Sequence, residues 1–149
     1  MRMAVFVISA TALLAGCGGG TQAPDQTVQQ LMADVVQPTT EIYWDSVQYI
    51  SDEQGNHDIF PKTDEEWKRT KDAATEVGRL ARLLRTAPYA EGRGEDWIQI
   101  STSLEEVSKM AEQAAEDRDV EKVFEVGGTI YNVCSACHMV YPPAAGVEP

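Results

Sequence analysis

Apolar residues recur at three- and four-residue spacing in four stretches of the chain, with polar residues filling the remaining positions, the pattern of amphipathic helices. The first stretch runs from about Asp25 to Ile50: Val28, Met32, Val35, Ile42 and Tyr49 keep close to that spacing, and Leu31, Val36 and Tyr43 widen the stripe. Pro38 lies inside it, and its missing N–H predicts a kink or a split there. Ser51 to Pro61, with Gly55-Asn56, predicts a loop. The second helix opens at Thr63, where Thr63 and Glu66 fit a capping box and Asp64 and Glu65 suit the positive end of the helix dipole. Trp67, Ala74, Val77, Ala81 and Leu84 give its buried face, Pro88 closes it, and Gly92-Arg93-Gly94 turns the chain.

The third helix spans about Glu95 to Arg118, with Trp97, Ile100, Leu104, Val107, Ala111 and Ala114 on one side. Glu105, Glu106, Lys109, Glu112 and Glu116 form its solvated face. The fourth begins near Asp119 and carries Val120, Val123, Phe124, Ile130, Cys134 and Cys137/His138 on one stripe until Pro142-Pro143. Gly127-Gly128 in its middle is unfavourable by about 1 kcal/mol per glycine relative to alanine; the bare backbone there would let something bulky approach. Strand alternation is nearly absent, so the expectation is an all-α chain, one antiparallel four-helix bundle with cofactor sites built between facing helices. A length of 149 residues, 43% of them hydrophobic, suffices for one core of this kind.

The start of the chain reads differently. Arg2 precedes an apolar run from Ala4 to Ala15, too short to span a bilayer and laid out like a secretory signal. It ends in Leu14-Ala15-Gly16-Cys17, which resembles the lipobox of bacterial lipoproteins, where the chain is cut before the cysteine and the thiol is lipidated. Residues 1–16 are thus expected to be a lipoprotein signal peptide, 17–24 a flexible tether after lipidated Cys17, and 25–149 the folded domain. That domain would be periplasmic and would meet a bacterial membrane through its lipid anchor only. The net charge of −12 argues against nucleic acid as a partner and favours a basic protein.

Cys134-Ser135-Ala136-Cys137-His138 carries the chemistry. C-x-x-C-H is the attachment signal for c-type haem. Two cysteines three apart on a helix point to nearly the same side, so both can reach one porphyrin, and the next histidine can bind iron axially. A thioredoxin-like C-x-x-C belongs at a helix start after a strand, and a zinc site wants four ligands, for which only His57 is a further candidate, in a polar loop.

This motif near the end of a four-helix chain, followed by Tyr141 three residues after the histidine, resembles the cytochrome c-prime family, including its low-spin relatives. Pro142 stands where that family usually has Arg or Lys. The resemblance implies one covalent haem c on Cys134 and Cys137, His138 as axial iron ligand, and electron transfer or binding of NO or CO without substrate turnover. It also implies pairing as a homodimer. Val28-Gln29-Gln30-Leu31-Met32 resembles the segment in which low-spin relatives supply a sixth ligand, here Met32, although Val28 replaces their common arginine. Without that ligation, Leu31, Met32, Val35 and Val36 would line a gas pocket. The alternatives are a haem peroxidase-like enzyme, which wants a distal acid–base residue, and, without haem, a thiol-disulfide oxidoreductase.

Overall fold

The computed structural model describes residues 26–143. The expected signal peptide 1–16, Cys17 and its tether 17–24, and also residues 144–149, lie outside the described residues.

The first helix consists of three consecutive pieces: an α turn Val28–Leu31, a π turn Met32–Val36 and an α segment Gln37–Trp44. Thr27 opens it with a capping box, its hydroxyl accepting from the Gln30 N–H while the Gln30 side chain accepts from the Thr27 N–H. Pro38 accounts for the wide turn. It has no N–H to bond the Asp34 carbonyl, and α geometry would drive its ring into that carbonyl. The Gln37 N–H reaches back to the Met32 carbonyl instead, five residues away, so the helix widens where a break was expected.

That helix stops at Trp44, short of Ile50, and the expected loop is an antiparallel hairpin of Gln48–Asp52 and Gly55–Ile59. Asp52 Oδ1 accepts from the Gln54 N–H at 2.9 Å, and Gly55 takes a φ of +115°, open to glycine at little cost. The second strand is exposed throughout, so no apolar alternation marks it. The protein is therefore mostly helical with a small two-stranded sheet, which corrects the all-α expectation.

The second helix, Asp64–Leu84, begins with the anticipated capping box: Thr63 Oγ1 accepts from the Glu66 N–H at 3.2 Å and Glu66 Oε2 from the Thr63 N–H at 3.0 Å. After a single helical turn, Ala87–Ala90, come the third helix, Glu95–Glu116, and the fourth, Val120–Val140. Second and third run antiparallel. Trp97 Nε1 donates to the Leu84 carbonyl at 2.7 Å at one end, Lys71 pairs with Glu116 at the other, and a Cβ on Gly78 between them would lie 3.3 Å from that of Ser108. Glu105 is not on a solvated face as expected. Its side chain is 13% exposed and lies among Arg85, Lys109 and Arg82 of the two helices. Hydrogen bonds, that from Arg85 foremost, hold its carboxyl down at about 2.

Two apolar clusters form the core. Tyr43, Val47, Trp67, Val77, Leu104, Val126 and Ile130 belong to one; Leu31, Val36, Leu80, Leu84, Tyr89 and Trp97 make the other. The fourth helix buries Val123, Val126, Gly127 and Ile130, while Phe124 turns outward against the edge of Tyr49 at 4.9 Å, which corrects the expected stripe. The bulky group comes from the first helix and approaches Gly127. Trp44 Nε1 donates to the Gly127 carbonyl at 3.0 Å, and a Cβ on Gly127 would meet Trp44 Cδ1 at 3.3 Å.

The two glycines should therefore respond oppositely to substitution. Gly127→Leu overpacks this contact and should cost about 1–3 kcal/mol. Gly128→Ala, with nothing within 4 Å of the new Cβ, should stabilise by about 0.5–1 kcal/mol. Thermal unfolding followed by circular dichroism checks both signs.

Candidate functional site

Cys134 and Cys137 sit in the last two turns of the fourth helix, three residues apart, half-buried and not joined in a disulfide. Cys134 packs against the cluster of Tyr43 and Ile130; Cys137 packs against the cluster of Leu31 and Trp97. The two cysteines thus adjoin different halves of the core. Burial pushes the Cys134 thiol up to about 11, and it raises Cys137 as well, with Asp96 adding to the effect and Arg93 opposing it. Reactive C-x-x-C thiols show the opposite shift. His138 is exposed and accepts or donates no side-chain hydrogen bond among the described residues.

Met32 is half-buried against the same cluster as Cys137, together with Val28, Val35 and Tyr141. The Trp44–Gly127 contact explains how a residue near the start of the described chain comes to share a cluster with one near its end. First and fourth helices run in opposite directions from that contact. At about 1.5 Å per residue, with one residue absorbed by the π turn, Met32 comes level with Cys137 and His138.

Tyr141 follows the helix and closes this end. Its ring meets Trp97 edge-on at 5.0 Å, and its hydroxyl donates to Asp96 Oδ1 at 2.8 Å. Arg93 also lies over Trp97, its guanidinium 4.4 Å from the ring centre, while Nη1 donates to the Tyr89 carbonyl at 2.7 Å. Periodicity marked Trp97 as a packing residue, but Arg93 and Asp96 carry no local signal. Their relevance comes from the crossing of the third and fourth helices.

No family model, curated protein or solved structure matches the chain. His57 stands apart in the hairpin, half-exposed, with Nε2 3.6 Å from Asp52 Oδ2. Among the described residues no three of His, Cys, Asp and Glu gather as metal ligands, and no helix is long and apolar enough to cross a membrane. Tyr43 Oη is buried without a hydrogen-bond partner among the described residues, in the cluster that Cys134 adjoins, and burial raises its pKa.

Two outcomes follow for protein with free thiols. The Cys134 thiol stays neutral to about 11 when folded but ionises near its ordinary value when unfolded, so stability should fall as pH rises from about 9 to 11, by up to about 2 kcal/mol. Cys134→Ala should flatten that limb in urea titrations across the range. Tyr43→Phe removes an unpaired hydroxyl and should stabilise by about 1 kcal/mol; the same titration measures it.

Proposed function

We propose that the chain is a c-type cytochrome resembling the cytochrome c-prime family, its helices forming an antiparallel four-helix bundle. One haem c would be held by thioether bonds from Cys134 and Cys137, with His138 as axial iron ligand. The observation that carries this reading is the meeting of Cys137 with Leu31 and Met32 at one apolar cluster. It brings the attachment residues and a candidate sixth ligand to the same end of the protein from distant parts of the chain.

The donor set fits the group. Two neutral thiols on one helix side, in apolar surroundings, suit thioether attachment, and the adjacent imidazole is uncommitted. Bound there, haem would supply a one-electron couple and a binding site for small diatomic gases such as NO and CO. The chain's own residues do the rest. Cys134 and Cys137 would tether it at two points, Val28, Leu31, Val35 and Val36 would exclude water from that side, and the Met32 sulfur is the candidate sixth ligand. Residues 28–44 contain no His, Arg or Lys, so the first helix offers no basic side chain for peroxidase chemistry, and the reading is of a carrier or gas-binding protein. The net charge of −12 favours a basic redox partner by steering. Lipidation at Cys17 would hold the protein at the periplasmic side of a bacterial membrane.

Mass spectrometry of denatured protein should show the polypeptide with haem still attached; bare polypeptide overturns the reading. With Met32 as ligand, the reduced absorption spectrum is low-spin and indifferent to CO, and Met32→Ala makes it high-spin and CO-responsive. A low-spin spectrum that survives Met32→Ala removes Met32 from the site.

A further inference from the structure

We infer that the π turn Met32–Val36 is a positioning device that seats Leu31 and Met32 side by side against the Cys137 end of the protein, with Ala33 as its extra residue. Its chemical purpose rests on the haem-binding reading above; its geometry does not.

In the segment Gln37–Trp44 the buried positions are Thr40 and Tyr43, preceded by buried Val36. Carried backward at about 100° per residue, that stripe centres on Gln29 and on the line between Met32 and Ala33, and it leaves Leu31 on nearly the opposite side. The observed arrangement is different. Leu31 is 3% exposed, and Val28 and Met32 pack with it against Leu80, Leu84, Tyr89 and Trp97, while Gln29 and Ala33 are exposed.

The spacing explains the change. Buried Leu31 and Val36 are five residues apart, the reach of an i→i+5 turn, and the bond from the Gln37 N–H to the Met32 carbonyl closes it. One residue is absorbed there, so everything before it is turned by about 100° relative to a continuous α-helix. Val28 and Leu31 swing inward, Met32 crosses from one edge of the stripe to the other, and Gln29 and Ala33 swing out. Pro38 favours this form because the α alternative needs a 38-to-34 bond that proline cannot make. Ala33 and Pro38 therefore act on the site through Leu31 and Met32.

Two variants of the full-length protein test the inference. Deleting Ala33 removes the extra residue and leaves Leu31 and Met32 on the inner side of a regular helix. Inserting one alanine between Ala33 and Asp34 adds a second extra residue that one wide turn cannot absorb. The deletion variant should keep the wild-type reduced spectrum with and without CO, whereas the insertion variant should respond to CO as Met32→Ala does. In parallel, Leu31→Ala should lower the thermal midpoint in the wild-type and deletion backgrounds and leave it nearly unchanged in the insertion background. An insertion variant with the wild-type CO response, or a deletion variant that loses it, overturns the inference. Should the protein carry no haem, or Met32→Ala leave the spectrum unaltered, the functional reading fails by itself. The Leu31→Ala melting series then decides the positioning, and equal losses in all three backgrounds overturn it.

Discussion

The candidate site depends on Trp44 lying across Gly127. A glycine in mid-helix is locally unfavourable, but a side chain there would occupy the space of the indole, 3.3 Å from its Cδ1. The indole N–H adds a hydrogen bond to the backbone it covers. This pins the end of the first helix to the fourth helix about ten residues before Cys137. From that point the two helices diverge in sequence but stay adjacent in space, and Leu31–Met32 come to share a cluster with Cys137.

Burial gives the thiols their character. In water a pair of cysteines this close would exchange or ionise readily; against the two apolar clusters both are held neutral. Such surroundings disfavour thiolate chemistry and suit sulfur locked into a thioether, which has no charge to lose. The last turn of the fourth helix is kept in place from the side by Tyr141 on Trp97 and Asp96, and Arg93 also lies over Trp97. Because the third helix begins there, its first turn packs against the end of the fourth helix that carries Cys137.

The helices were legible where one side of each is buried against a single neighbour. Trp67, Val77 and Leu84, and Trp97, Leu104 and Ala111, lie on inner faces as their spacing implies, and Thr63 and Glu66 cap as their order implies. Legibility failed where burial was decided from outside the element. Glu105 belongs to a run of charge in sequence yet faces Arg82 and Arg85 at the end of the second helix. Phe124 fits an apolar stripe yet faces the hairpin, whose second strand buries nothing and so leaves no pattern.

By itself the sequence determined the second, third and fourth helices, the Thr63–Glu66 capping box and the groups that carry the chemistry: two thiols and an imidazole at a spacing that places the thiols on one side of a helix. Those depend on neighbours three or four residues apart, which the chain order states directly. Only the tertiary structure decided what those groups meet. Whether Pro38 breaks or widens the helix, whether Leu31 or Gln29 turns inward, and whether Arg93 and Asp96 stand near Cys137 depend on contacts between residues tens of positions apart. Such contacts are chosen by the burial of whole faces, and no local spacing records them.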